Sequence, residues 1–257
     1  MNDTSQPAKV VGLYSFPKSG NTWLRAIIAG ATGMPMGPGV MQKYVTDTHF
    51  GKVMENPWAF QGKDWYFYKS HHATLLAEDD GQPLHTDKVV QIYRHPLDVF
   101  CSYLNFVSKN VSPKAGKSLP FQFDKVEDLT PEQMEELFGI FLEHATLVPQ
   151  NRAFGSVFDH FANFTKLGET MPVHILRYED LYDDFEGSVM GMCDFLGLEN
   201  IDINSVYRTS DRRTKQNGKF FWKRQKDNYR NFLNDDQIAR FKAKWAPEMR
   251  AMGYDAD

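Results

Sequence analysis

Lys18, Ser19, Gly20, Asn21 and Thr22 stand where an apolar run (Val10, Val11, Leu13, Tyr14) gives way to an amphipathic one (Leu24, Ile27, Ile28, Ala31). The segment reads as a loop passing from a strand into a helix. Backbone N–H groups at such a helix start, helped by the helix dipole, favour a bound anion. Against the nucleotide loop G-x-x-x-x-G-K-S/T, the chain keeps Gly20 and Thr22, puts Ser15 at the first glycine and has Asn21 where the lysine belongs. The lysine stands inside the loop instead, as Lys18. A phosphate cradle with its cation displaced suggests a leaving group other than that of an ordinary ATP site.

Three further groups could carry chemistry. Arg94 ends an apolar run, Pro96 can open a helix, and Ser102 follows two helical turns on. A planar guanidinium and a hydroxyl could grip two oxygens of one phosphate, and Arg94 could equally pair with Asp98 one turn away. Tyr66-Phe67-Tyr68-Lys69-Ser70-His71-His72 reads as a strand ending in polar residues. Imidazole, with an ordinary pKa of about 6.5, suits proton abstraction at working pH. Tyr178-Glu179-Asp180-Leu181 precedes Phe185, Val189, Met192, Phe195, Leu196 and Gly197 at helical spacing. Adjacent acids on a helix do not face each other, so Glu179 and Asp180 read as helix-start charges.

Strands are expected at about 9–15, 65–69, 88–93 and 172–177, and helices at about 20–31, 96–108, 131–148, 181–196 and 235–246. Thr130 with Gln133 and Asn234 with Gln237 make capping boxes, and Ile238, Phe241 and Trp245 share one helix face. Alternation of strand and helix predicts a single α/β domain over 1–257: a parallel sheet flanked by helices in a P-loop-like fold, with a core at 8–234 and a C-terminal helix within 235–253. Segments 110–130 and 208–231, rich in Pro, Gly and charge, are expected to be mobile and to shape the substrate pocket. Ligands of open α/β sheets sit beyond the carboxyl ends of the strands. Lys18, His71, Arg94 and Tyr178 each fall just past a predicted strand.

The loop Ser15–Trp23 resembles the 5′-phosphosulfate loop (Y-P-K-S-G-T/N-T-W) of sulfotransferases that use 3′-phosphoadenosine 5′-phosphosulfate (PAPS). Arg94–Ser102 is similar to the 3′-phosphate motif of that family (R-N/D/H-P-x-D-x-x-x-S), Lys69–His71 to its K-T/S-H, and Arg177–Leu181 to its R/F-Y-E-D-L. Near the C-terminus the family reads F-F-R-K-G-x-x-G-D-W-R/K-N. Here Lys223 matches, whereas Trp222 stands at the arginine, Arg224 at the glycine and Tyr229 at the tryptophan. The resemblance implies a soluble, small-molecule sulfotransferase, with natural-product tailoring among the roles expected of it. Asn21, Thr22 and the N–H groups of Ser19 to Thr22 would hold the 5′-phosphate, and Trp23 and Tyr178 the adenine. Arg94, Ser102, Lys223 and Arg224 would hold the 3′-phosphate. Lys18 would stabilise the leaving oxygen, His71 would take the acceptor's proton, with His72 as its neighbour, and Lys69 would neutralise the transferring group. Ser102 would also restrain Lys18. PAPS is then the donor, adenosine 3′,5′-bisphosphate (PAP) the product, and no metal is expected. The alternatives are a P-loop nucleotide kinase, which would want lysine at position 21, and a non-catalytic PAP or PAPS binder.

Composition sets outer bounds. At 42% hydrophobic, with 20 Phe, 11 Tyr and 5 Trp, the 257 residues can fill a core and line an aromatic pocket. A net charge of −4 argues against a nucleic-acid partner. Cys101 and Cys193 fall in helical apolar patterns and read as buried free thiols of a reducing compartment. No stretch approaches the roughly 18 apolar residues of a membrane span, and the first nine residues lack an apolar signal core, so a cytoplasmic location is expected. The aromatics Phe121, Phe123, Phe220, Phe221 and Trp222 favour an acceptor with a ring or a cation. The sequence leaves the acceptor itself and the oligomeric state open.

Overall fold

The computed structural model describes residues 8–37, 40–48, 55–78, 81–216 and 225–256. Its strands are β1 (Lys9–Tyr14), β2 (Val45–Asp47), β3 (Trp58–Phe60), β4 (Lys63–Ser70), β5 (Lys88–Tyr93) and β6 (Val173–Arg177). Five of them lie parallel in the order β2-β4-β1-β5-β6, and β3 pairs antiparallel with the start of β4. The central strand β1 is covered on both faces, which is why it reads as an unbroken apolar run rather than an alternating one. Its alternate residues serve different layers. Val11 and Leu13 join Val90 and Ile92 of β5 in one cluster, whereas Val10 and Tyr14 join Tyr68, Val89 and Phe164 in another.

The helices are α1 (Asn21–Thr32), α2 (Val40–Tyr44), α3 (Pro96–Val107), α4 (Pro131–His144), α5 (Val157–Leu167), α6 (Tyr178–Asp183), α7 (Phe185–Leu196), α8 (Ile203–Gln216), α9 (Asp235–Lys244) and α10 (Ala246–Ala251). α1, α7 and α8 contribute to the cluster under Val11 and Leu13. α3, α4, α5, α9 and α10 build the larger cluster around Phe100, Phe138, Phe141 and Phe241. Among the described residues no helix is long and apolar enough to cross a membrane. Cys101 and Cys193 are both free and buried.

The four expected strands are present, and β2 and β3 are additions. The expected helix at 131–148 ends at His144, where Ala145 turns left-handed (φ 48°) and its N–H closes on the Phe141 carbonyl. The one expected at 181–196 begins earlier and breaks at Asp184, whose side chain caps α7. Trp245 likewise separates α9 from α10. The loop expected from 208 begins as helix, because α8 runs to Gln216. Registers such as Tyr14↔Ser70 and Tyr93↔Arg177 bring the carboxyl ends of neighbouring strands level, so the loops after them share one edge of the sheet.

Candidate active site

The loop after β1 is fixed at its start, where the Ser15 N–H donates to the Ser70 carbonyl at 3.3 Å, and again where the Ser19 N–H donates to the Phe16 carbonyl at 3.2 Å. Lys18 (φ 71°) and Gly20 (φ 111°) are both left-handed. At Gly20 nothing larger fits: a Cβ would lie 2.8 Å from the Tyr178 ring and 3.0 Å from Ile92 Cδ1. The Gly20 carbonyl accepts from the Trp23 and Leu24 N–H groups at 2.9 and 3.1 Å, which starts α1. Among the described residues no side chain caps this start, and no acid occupies its first turn. The N–H groups of Gly20, Asn21 and Thr22 precede the first intrahelical bonds and point out of the helix end.

Not every predicted ligand faces that end with its side chain. Asn21 Nδ2 donates to the Leu13 carbonyl at 3.2 Å, bracing the helix against β1, so its backbone N–H is what it offers an anion. The Ser19 N–H is already spent on Phe16. Thr22 Oγ1 accepts from Arg25 at 3.3 Å. The Trp23 ring lies 5.2 Å from that of Tyr178, edge-on, and stacks 6.2 Å from Phe185. These three rings form the aromatic wall beside the cradle.

Lys18 is half-buried, with Nζ 4.9 Å from the centroid of the Phe106 ring. Burial, then the charge of Arg94, pulls its pKa down to about 8. Ser102, half-buried, stands one turn before Phe106 on the same side of α3. Buried Arg94 is held on several sides. It donates to the Gln225 carbonyl at 2.7 Å, lies 3.5 Å from Asp98 Oδ2, and its Cζ sits 4.3 Å from the Tyr178 ring centroid. Burial opposes its charge, but Tyr178, Asp98 and Glu179 outweigh burial and raise its pKa. Among the described residues its buried Nε has no hydrogen-bond partner.

His71 Nδ1 is 2.8 Å from the Ser15 carbonyl. A carbonyl only accepts, so Nδ1 carries the proton and Nε2 is the basic nitrogen. The imidazole is thereby tied to the loop that carries Lys18. The ring also meets Phe154 edge-on at 6.0 Å. Lys69, 6% exposed, forms an ion pair with Asp47 at 3.0 Å.

Glu179 stands in the first turn of α6, as expected of a helix-start charge, but it is also a strut. It is buried, accepting from the His95 N–H at 3.0 Å and the Tyr254 hydroxyl at 2.7 Å, and burial raises its pKa. Asp180 does behave as expected, pairing with Arg177 at 2.6 Å. Asp98 does more than pair with Arg94: it accepts from the N–H groups of Asp227 (2.9 Å) and Tyr229 (3.0 Å), anchoring the C-terminal stretch beside Arg94. Phe123 is buried in the large core cluster, not set in a pocket, and Phe121 packs against that cluster. Lys223 and Arg224, with Phe220, Phe221 and Trp222, lie outside the described residues.

Sequence reasoning missed Phe106, Glu179 as a strut, Gln225 as a partner of Arg94, and Asp47. Only Phe106 carried a signal, its spacing of four from Ser102. The chemistry of the site fits an anionic nucleotide. Among the described residues it offers a left-handed Gly20 packed closely on Tyr178 and Ile92, a helix start without a side-chain cap, and a buried guanidinium nitrogen without a hydrogen-bond partner.

These features define an α/β nucleotide-binding fold with its site at the carboxyl edge of a parallel sheet. Residues 9–253 match the sulfotransferase domain family, and the chain belongs to it. It is 25% identical to Sulfotransferase 2A2 of Rattus norvegicus, over 77% of this chain and 63% of that protein. To 3-alpha-hydroxysteroid sulfotransferase of Cavia porcellus it is 27% identical, over 71% of this chain and 57% of that one. The matches thus span less than two thirds of these two relatives. The crystal structure of mouse sulfotransferase SULT7A1 complexed with PAP shares the fold, with a TM-score of 0.61 at 17% identity over 94% of this chain and 84% of that one.

Proposed function

We propose that the protein transfers a sulfuryl group from PAPS to a hydroxyl or amine of a small molecule. The observation that carries this reading is the bond from His71 Nδ1 to the Ser15 carbonyl, which ties a base in the right tautomer to the loop of a displaced lysine. Family membership and the likeness to a fold solved with PAP support the donor. The Asn21 side chain supports transfer over a kinase reaction: where a nucleotide kinase needs a lysine, an amide is bonded back to Leu13.

In this reading the N–H groups of Gly20, Asn21 and Thr22 hold the 5′-phosphate, and Arg94 and Ser102, with Lys223 and Arg224, hold the 3′-phosphate. Trp23 and Tyr178 flank the adenine. The reaction is an in-line displacement. The bond from sulfur to the 5′-phosphate oxygen breaks as the bond from sulfur to the acceptor forms, so positioning and charge stabilisation dominate. Lys18 stabilises the departing oxygen, Lys69 the transferring group, and His71 Nε2 takes the acceptor's proton. Ser102 restrains Lys18. These side chains supply the needed cations, so turnover is proposed to survive excess chelator. A cytoplasmic location is proposed from the two free thiols.

Labelled PAPS offered with alcohols, phenols and amines tests the proposal. His71→Asn is expected to cut transfer to an alcohol by roughly 10²–10⁴-fold and leave PAP affinity, read by calorimetry, within about twofold. PAP binding without transfer to any acceptor would identify a non-catalytic binder instead.

A further inference from the structure

Asp47 belongs to β2, a strand too short to be read from the sequence, yet it and its neighbour make three bonds to one residue. The Asp47 carboxylate lies 3.0 Å from Lys69 Nζ, and both side chains are largely shielded. The next residue, Thr48, donates to the Lys69 carbonyl from its N–H (3.2 Å) and from its hydroxyl (3.1 Å). In the sheet Asp47 stands opposite Lys69, and Leu13 of β1 stands opposite on the other side. The end of β2 thus grips Lys69 at both its main chain and its ammonium, two residues before His71.

The charges around Lys69 explain why it needs a grip. Arg25, from α1, bonds to Thr22 at the cradle and repels the ammonium, while burial opposes its charge more strongly still. Asp47, from β2, acts in the opposite sense and offsets part of both. Among the described residues, Lys69 on β4 thus feels one neighbouring cation, Arg25, and one carboxylate, Asp47, of which only Asp47 favours its charge.

We infer that Asp47 is a positioning residue, whose carboxylate holds the Lys69 ammonium in place at the sulfuryl end of the site. This rests on the transfer reading above for its purpose, but the pairing can be tested without turnover. Competitive acetylation of the full-length chain across pH, followed at the Lys69 peptide by mass spectrometry, reads the basicity of that amine. Asp47→Asn is expected to lower the Lys69 midpoint by about one pH unit, as loss of a close counter-charge should. An unmoved midpoint would overturn the inference.

In transfer assays Asp47→Asn is expected to lower kcat about tenfold at neutral pH, move the alkaline limb of the profile down by about one unit, and leave PAP affinity within about twofold. In a Lys69→Met background the same change should add less than about twofold; a full tenfold loss there would mean that Asp47 acts independently of Lys69. Should Asp47→Asn fail to fold, Asp47→Glu keeps the charge but displaces the ammonium, and an unchanged kcat in that variant would equally refute the role. Loss of PAP binding by the wild-type protein would remove the donor reading, while the acetylation midpoint still decides the pairing.

Discussion

α9 begins at Asn234, whose side chain accepts from the Gln237 N–H at 2.8 Å while Gln237 returns a bond to the Asn234 N–H at 3.1 Å. α1 begins at Gly20, left-handed, with no side chain closing its end and Lys18 two residues before it, also left-handed. The first start satisfies its own donors and adds to stability. The second leaves donors for something that carries negative charge, beside a lysine whose ammonium is partly withdrawn from water. The contrast separates a helix end closed by its own side chains from one left open to the anion that the proposed function assigns to it.

The most forceful way to break the contrast is Lys18→Ala. If this cation acts on the departing oxygen, turnover should fall by roughly 10²–10³-fold, or about 3–4 kcal/mol, with PAP affinity changed far less. Equal losses in turnover and affinity would make Lys18 a binding residue only. Steady-state kinetics with labelled PAPS, set against calorimetry with PAP, separates the two.

The ligand-facing end was more legible in sequence than much of the scaffold, for a physical reason. His71 and Arg94 directly follow β4 and β5, and Gly20 and Thr22 close the loop after β1; the apolar and aromatic stretches of these strands show locally. α8 was missed because its buried stripe is thin. It rests on α1 at Gly30, where a Cβ would meet the Val206 backbone at 2.9 Å, so main-chain proximity replaces the apolar side chains that periodicity detects. α5 carries a helical pattern in Val157, Phe158, Phe161 and Phe164, and is the one omitted helix that periodicity could have shown. β2 spans three residues, too few for any alternation to register. The struts made by Asp98 and Glu179 join positions 75 to 131 residues apart and leave no local trace.

Acidity sharpens the same comparison. Burial and the charge of Arg94 pull the Lys18 pKa from its ordinary 10.5 down to about 8, and an anion in the cradle would favour the charged amine. PAP binding should therefore take up protons near pH 8, and affinity should weaken as pH rises above that point, by at most about tenfold per unit for one proton. The sign for stability is opposite. Because the folded value is depressed, the charged amine disfavours the folded state below about pH 8, and that penalty is relieved as pH rises from about 8 to 10.5. A Lys18→Met variant should lose both dependences. At the other helix start, Asn234→Ala should cost about 1 kcal/mol in urea denaturation, with transfer per folded molecule unchanged.

The smallest effect bears most directly on why Lys18 is where it is. A non-glycine residue in left-handed backbone costs roughly 1–2 kcal/mol, while glycine costs roughly 0.5–1 kcal/mol in extra chain entropy. Lys18→Gly should therefore be more stable than Lys18→Ala by about 0.5–1 kcal/mol, though both should be comparably inactive. Denaturation of the two variants side by side measures this, and neither keeps the ammonium, so its withdrawal from water cancels. Equal stabilities would mean that the backbone at position 18 relaxes once the lysine is gone, so that the side chain's own packing against Phe106 imposes the left-handed turn. A glycine advantage would mean that Phe16, Ser19 and Gly20 impose it, and that the loop holds a strained conformation to aim one cation.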